Sequence, residues 1–256
     1  MNNDRPRQIC NVVFAVGQAA APAITPMLGL PQVGSVSDRY PTYVVPAGYA
    51  FSIWGLIFAL SLAYAVWQVL PAQRANPLLR RVGWLTAAAF AGSTAWEFAF
   101  PAGMYGVSVV LIVITLASLA VAVARLAAWR TPFTGTERGL VWTTCGVYLG
   151  WITVATIANV AQALSAAGVV ELGLGGEAWG MVMLAAAALI AVFVTRATRN
   201  AGFALAVVWA LVAVFVARRS PPLLTQSAAV AYTALAAAVV VGAALVLSRG
   251  RRARTA

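Results

Sequence analysis

The sequence predicts an all-α polytopic membrane protein, and both its composition and its pattern of apolar residues support this class. Of 256 residues, 62% are hydrophobic and 9% are charged, whereas soluble domains average about 45–50% apolar and about 25% charged residues. The apolar residues fall into continuous runs of about 20, the length that a helix needs to cross a bilayer. These runs do not alternate with polar residues as barrel strands do, so helices are favoured.

Eight such runs predict about eight transmembrane helices. The first run is the most polar, and Arg5 and Arg7 precede it, so it also resembles a signal peptide. An uncleaved helix fits better because the apolar residues continue to Leu30, whereas cleavage would leave seven helices. The approximate boundaries are 9–30, 47–70, 82–100, 104–127, 140–164, 177–195, 201–217 and 226–248.

The basic residues, all arginines, predict the orientation of these helices. With the N-terminus inside, all but three of the 17 basic residues fall in inner segments. This bias follows the positive-inside rule and predicts a multi-pass protein of a bacterial-type inner (plasma) membrane with both termini in the cytoplasm. Because the arginines flank apolar runs, we attribute the net charge of +11 to topology and expect no nucleic-acid partner. Arg218 and Arg219 deviate: either they reach the outer headgroups or the seventh helix is misplaced.

The residue types exclude several catalytic sites. Histidine is absent, which excludes a Ser-His-Asp triad and His-ligated zinc or haem. No two carboxylates are spaced for acid–base catalysis, so an enzyme is the least favoured class. Glu97 is the only acidic residue within an apolar run, and such acids are candidate functional residues. It lies close to the chain reversal at Pro101, so it either serves a function or reaches hydrated headgroups.

Seven of the nine tryptophans divide into two groups. Four lie near the predicted helix ends and fit an interfacial belt, namely Trp84, Trp129, Trp142 and Trp179. Three others lie among further aromatic and polar residues and are candidates to line a cavity for a flat apolar ligand, namely Trp54, Trp96 and Trp151.

The segments around these three tryptophans provide the candidate binding residues. In the fifth helix, the spacing of Tyr148, Trp151, Ala155 and Asn159 places them on one face. The Asn159 amide needs a partner within the membrane, so it makes an interhelical hydrogen bond, a cavity contact or both. The candidate ligand-binding residues are Tyr49, Phe51, Trp54, Trp96, Glu97, Tyr148, Trp151, Ala155 and Asn159. No residue is a candidate for catalysis or metal binding.

Small residues predict close helix packing at two places. Gly146 and Gly150 lie about one turn apart in the fifth helix. Ala234, Ala238 and Gly242 repeat this spacing in the last helix. We expect a neighbouring helix to approach closely at both places.

The three aromatic segments, in this order, resemble motifs of the TspO/MBR family of tryptophan-rich sensory proteins, bacterial relatives of the mitochondrial translocator protein. The turn at Pro46 is similar to the family's proline turn with Trp-x-Phe and a later Trp. Tyr49 replaces the first Trp, Phe51 and Trp54 match, and this chain has one residue fewer between them.

The other two segments match the family more closely in the fifth helix than in the third. Trp96 matches the Trp of the family's Asn-x-x-Trp, with Ser93 in place of the Asn and Glu97 where a small polar residue is usual. The family's Tyr-x-x-Trp-x-x-x-Ala-x-x-x-Asn is matched throughout, by Tyr148, Trp151, Ala155 and Asn159.

This resemblance covers about residues 9–165 and implies a division of the chain. A TspO/MBR-like five-helix core would span 1–170, a three-helix extension 171–248 and a basic cytoplasmic tail 249–256. The family binds flat hydrophobic or amphiphilic ligands, such as tetrapyrroles, in a Trp-lined pocket at one end of the bundle. The resemblance therefore implies such a ligand, a lid formed by residues 31–46, a sensory, regulatory or transport role, and a homodimer.

Two other function classes stay open. A secondary transporter of a small apolar or cationic solute would use Glu97 as the coupling acid and would need broken helices, for which the sequence offers only Pro22 and Pro26. A non-catalytic membrane assembly partner would use the last three helices to dock another protein. The sequence alone does not identify the ligand.

Overall fold

The computed structural model describes residues 4–169, 173–220 and 225–253, without the side chains of 250–253. All eight predicted spans are helical. The predicted boundary between core and extension, at 170–171, lies outside the described residues. The long helices are α1 (Arg5–Met27), α2 (Ile53–Val69), α3 (Pro77–Ala99), α4 (Tyr105–Ala127), α5 (Thr144–Ala166), α6 (Gly176–Thr198), α7 (Ala201–Arg219) and α8 (Ala228–Ala253).

Short helical segments lie in the connections. A five-residue helix, Val33–Ser37, lies between α1 and α2, and a 3₁₀ segment, Gly48–Ser52, leads into α2. A helical turn at Gly135–Glu137 and a π-helical segment at Arg138–Thr143 lead into α5. The predicted tail begins as helix, because α8 continues to Ala253.

Seven helices within the described residues are long and apolar enough to cross a membrane. The chain is therefore an all-α polytopic protein, and its surroundings are a lipid bilayer. The remaining long helix, α3, has 23 residues, as α1 and α4 do. It is more polar because it carries Arg80, Arg81 and Glu97.

The polar residues of α1 and α3 face into the bundle. Asn11 Nδ2 donates to the Gly83 carbonyl (2.7 Å), and Thr94 Oγ1 donates to the Phe14 carbonyl (3.2 Å). These bonds satisfy side chains that hydrocarbon could not satisfy. They explain why the first span forms a helix packed against α3 although it carries buried polar residues.

Helix α5 is the centre of the bundle, because most of its side chains are buried and it packs against both α4 and α7. A Cβ atom on Gly150 would lie 2.4 Å from the Phe203 carbonyl oxygen, and one on Gly146 would lie 2.1 Å from Asn200 Oδ1. The predicted close approach at these two glycines is therefore confirmed. The same prediction is wrong for Gly242, because a Cβ there would meet nothing within 4 Å.

The long helices alternate in direction, so their termini collect at two ends of the bundle. One end, which we call the Arg-rich end, holds the start of α1 and the connections at 70–76, 128–143 and 199–200. The other end, which we call the loop end, holds the connections at 28–52 and 100–104, together with Ser220 and residues 225–227.

Candidate functional site

An aromatic pocket lies at the loop end, between α2, α3, α5 and the connection that precedes α2. Among the residues that the structure describes, no charged side chain lines it. Its free volume is about 30 Å³, which is room for about two water molecules. The lining residues are Ser37, Val45, Pro46, Phe51, Trp54, Trp96, Phe100, Trp151, Val154, Ala155, Ala158, Asn159 and Gln162.

Three tryptophans from three helices form the wall of this pocket. The Trp54 ring stacks on Trp96 with centroids 6.1 Å apart and meets Trp151 edge to face at 6.2 Å. Phe51 meets Trp151 edge to face at 5.9 Å, and Phe100 stacks on Trp96 at 5.0 Å. These are favourable ring geometries that hold a rigid aromatic surface at low entropic cost.

Asn159 connects three helices at the edge of the pocket. Its Oδ1 accepts from Trp96 Nε1 (2.8 Å), and its Nδ2 donates to Ser108 Oγ (3.0 Å). The side chain is buried and also lines the pocket. Both roles left open by the sequence, the interhelical hydrogen bond and the cavity contact, are therefore present.

The indole N–H groups of Trp54 and Trp151 differ from that of Trp96. Both Nε1 atoms are buried, and neither has a hydrogen-bond partner among the residues that the structure describes. Buried tryptophans usually find an acceptor for this group. Two unsatisfied donors on the wall of one apolar pocket therefore call for an explanation.

The connection between α1 and α2 forms the roof of the pocket through Ser37, Val45 and Pro46. Gln162 Nε2, on α5, donates to the Ser37 carbonyl at 2.9 Å. The roof segment is thus tied directly to the helix that supplies one side of the pocket.

Arg218 holds the same connection from the opposite side. Its side chain is 4% exposed, and it donates to the carbonyls of Thr42 (3.1 Å), Val45 (3.2 Å) and Thr225 (3.1 Å). Neither alternative from the sequence is correct for Arg218: α7 continues to Arg219, and the guanidinium turns inward to peptide carbonyls instead of reaching the headgroups.

Six of the nine predicted site residues line the pocket, and three do not. Tyr49 is 46% exposed and packs edge to face on Trp209 (5.4 Å). Tyr148 is buried behind Trp54, where its hydroxyl donates to Gln18 Oε1 (2.7 Å). Glu97 is 2% exposed and lies within the bundle, so it does not reach the headgroups.

Sequence reasoning did not name the remaining lining residues individually, although the family resemblance implied a lid over 31–46, the segment that supplies the roof. Val154, Ala158 and Gln162 continue the Trp151 face of α5 at helical spacing, so extending that face would have identified them. The roof residues Ser37 and Val45 have no local signal, because the contact depends on how the connection folds back.

A tetrapyrrole-like ligand suits the chemistry of this pocket but exceeds its size. The aromatic walls match a flat ring system, and the two free indole N–H groups match a hydrogen-bond acceptor. Ligand pockets usually measure about 300–1,000 Å³, far more than the volume present here. A ligand of this class would therefore require the roof to move.

Comparison with known proteins agrees with this arrangement. No curated protein and no solved structure matches the chain. The sequence model of the family described as TSPO-like protein matches residues 8–247, which includes the last three helices as well as the first five. The chain belongs to the TSPO-like protein family and is an integral membrane protein of that type.

Proposed function

We propose that the protein binds a flat, mainly apolar ligand with at least one hydrogen-bond acceptor, of the tetrapyrrole-like class, in the aromatic pocket. The role would be sensory, regulatory or in transport. The observation that carries this proposal is the pair of buried indole donors on two tryptophans that line the pocket, Trp54 Nε1 and Trp151 Nε1, which have no hydrogen-bond partner among the described residues. A ligand acceptor would satisfy a donor whose burial is otherwise unfavourable.

Access to the pocket would be controlled by its roof. Contacts from two helices hold the roof, through Gln162 on α5 and Arg218 on α7. Release of these contacts would enlarge the pocket without disturbing the ring wall. Binding of a ligand of this class would then require an opening of the 31–46 connection.

The experiment is a titration of the detergent-solubilised protein with protoporphyrin IX, followed by the porphyrin's own absorption band. We expect saturable binding. Trp151→Phe keeps an aromatic ring but removes the N–H donor, and should weaken binding by roughly tenfold, the value of about one hydrogen bond. Trp54→Phe should behave in the same way.

Trp84→Phe is the matched control, because Trp84 is 55% exposed and lines neither the pocket nor its roof. Its affinity should equal that of the unmodified protein. Linear, non-saturable uptake of porphyrin, or an equal loss of affinity in Trp84→Phe and Trp151→Phe, would contradict the proposal.

Glu97 supports a second candidate, a solute transporter coupled to protons. Its carboxyl group is buried in α3, with neither a hydrogen bond nor an ion pair among the described residues. An unpaired acid within a membrane protein is a candidate for proton coupling. In proteoliposomes with a pH gradient, Glu97→Gln would abolish uptake of tetraphenylphosphonium, whereas Glu177→Gln, at an exposed site, would not. Absence of uptake by the unmodified protein would dismiss this candidate.

A further inference from the structure

A second cavity, which we call the basic cavity, opens at the Arg-rich end. Its volume is about 590 Å³, much larger than that of the aromatic pocket. It lies between the connection that leaves α4, the π-helical segment Arg138–Thr143, the α6–α7 turn and the last described part of α8. Its charged lining residues are Arg130, Arg138, Arg199 and Arg249.

Among the described residues, no acidic side chain lines the cavity beside these four arginines. Arg7 and Arg80 form ion pairs with Asp4, whereas none of the four cavity arginines forms an ion pair within the described ranges. Glu137 precedes Arg138 but does not line the cavity, because its carboxylate accepts from the Thr134 backbone N–H (2.9 Å) and Asn76 Nδ2 (3.2 Å). The basic cavity therefore has a concentrated positive charge that an anionic ligand would neutralise.

Three aromatic side chains also line the basic cavity. Phe133 stacks on Trp142 with centroids 5.6 Å apart, and Trp129 lies beside them, half-buried. Tryptophans in such positions lie at the level of lipid headgroups. Positive charge next to half-buried rings suits a molecule with an anionic head and an apolar body better than it suits a free inorganic ion.

The backbone around the basic cavity is irregular in two places. Arg199 adopts a left-handed conformation (φ 56°), the one positive φ at a non-glycine residue in the described ranges. Glycine, or less often asparagine, usually occupies such a position after a helix. The π-helical segment places Arg138 and Trp142 on the cavity wall, and such segments are frequent at functional sites. The arginine at 199 is thus unfavourable for the backbone, which indicates that its side chain has a use.

We propose that the basic cavity binds the phosphate headgroup of an anionic phospholipid from the surrounding bilayer. The arginines contact the phosphate, and the rings of Trp129, Phe133 and Trp142 pack against the upper part of the acyl chains. Basic pockets between transmembrane helices are known to bind such headgroups. This site is distinct in position and ligand chemistry from the aromatic pocket.

The test measures binding of phosphatidylglycerol and of phosphatidylcholine with identical acyl chains to the full-length protein in detergent, by native mass spectrometry. We expect saturable binding of phosphatidylglycerol only. The double variant Arg138→Gln/Arg199→Gly should lose roughly tenfold or more in affinity. Glycine at 199 suits the left-handed backbone, so thermal stability without lipid should be unchanged or higher, which separates a binding role from a structural one.

The matched control is Arg74→Gln/Arg196→Gln, which removes the same charge at the same end but outside the basic cavity. It should retain affinity within about twofold, because neither side chain lines the cavity and salt screens exposed charges. Equal losses in both double variants would overturn the proposal in favour of non-specific surface attraction. Equal binding of the two lipids, or full competition by inorganic phosphate at equimolar concentration, would overturn it too.

Discussion

The aromatic pocket and the basic cavity are both lined by tryptophans, but the surroundings of these tryptophans differ. At the loop end, Trp54 and Trp151 are buried and line a space of about 30 Å³, which no charged side chain lines among the described residues. At the Arg-rich end, Trp129 and Trp142 are half-buried in a space of about 590 Å³ beside four arginines. The difference shows that tryptophan content alone indicates neither site. The surrounding charge and enclosure decide which ligand each group of rings suits.

The arginines of the two ends differ in the same way. Arg218 at the loop end is buried and satisfies three peptide carbonyls, whereas the arginines of the basic cavity are exposed and free of ion pairs among described residues. Arg218→Leu should therefore lower the free energy of unfolding by about 3 kcal/mol, because a charged hydrogen-bond donor to buried carbonyls is lost. Denaturant titration in detergent measures this loss. The 38–47 segment should also become sensitive to protease.

Arg219 provides the control for this prediction. It is exposed, and among the described residues its guanidinium interacts with Tyr232, through a hydrogen bond (3.0 Å) and over the ring face (5.5 Å). Arg219→Leu should cost less than about 1 kcal/mol. Similar losses for Arg218→Leu and Arg219→Leu would show that the roof does not depend on the buried guanidinium.

Helix α7 links the two ends, and Gly150 sets its distance from α5. At the Arg-rich end, Asn200 caps α7 and donates to the Trp142 carbonyl (2.9 Å), whereas at the loop end the Ala213 carbonyl accepts from Ala47 N (3.1 Å). Gly150→Ala should cost about 1–3 kcal/mol, because its Cβ meets a backbone carbonyl that cannot rotate away. Ligand binding should weaken at both ends.

Gly242→Ala, on α8, is the matched control for Gly150→Ala, because the added Cβ atom would lie in open space. It should leave stability unchanged or raise it by up to about 1 kcal/mol, since alanine favours helix over glycine. If Gly150→Ala affected binding at one end only, α7 would not couple the two sites.

Asn159 acts on the loop end alone. Asn159→Ala removes the acceptor of Trp96 Nε1 and the partner of Ser108, so we expect a loss of about 1 kcal/mol in stability, the usual value for interhelical hydrogen bonds in membranes. Porphyrin affinity should fall, and phosphatidylglycerol affinity at the other end should be unchanged. A loss of stability with unaltered porphyrin affinity would assign Asn159 a purely structural role.

The helices were predictable from the sequence because a helix that crosses the hydrocarbon core needs a minimum length and an apolar composition. Both can be read directly along the chain. It predicted the pocket where one helix carries the pattern, as in the Trp151, Ala155 and Asn159 face. It failed where the contact depends on two distant segments. The inward turn of Arg218 toward Thr42 is such a contact, and no pattern in the local sequence indicates it. The predicted face of the fifth helix also included Tyr148, which instead lies behind the pocket wall.

The smallest expected effect concerns Asp4, whose interactions lie at the Arg-rich end. Asp4 accepts hydrogen bonds from Arg80 Nη2 (2.5 Å) and Nε (2.9 Å). The hydrogen bond from Arg80, followed by the charges of Arg80 and Arg7, holds the pKa of Asp4 below its ordinary value of 3.8. A lowered pKa in the folded state stabilises the protein above pH 3.8, and this contribution disappears as the pH falls through the lowered value.

The unfolding temperature of Asp4→Asn should accordingly lie slightly below that of the unmodified protein at pH 7, and the difference should shrink below pH 3.8. Asp38→Asn, at an exposed position of the loop end, should change the unfolding temperature less at pH 7. The effect of Asp4 is small because Arg80 remains 43% exposed, and solvent screens such pairs. A difference that stayed constant down to pH 2 would mean that the ionisation of the Asp4 carboxyl contributes nothing to stability. Asp4 would then anchor α1 to α3 through hydrogen bonding alone, and charge at the Arg-rich end would matter only for the ligand of the basic cavity.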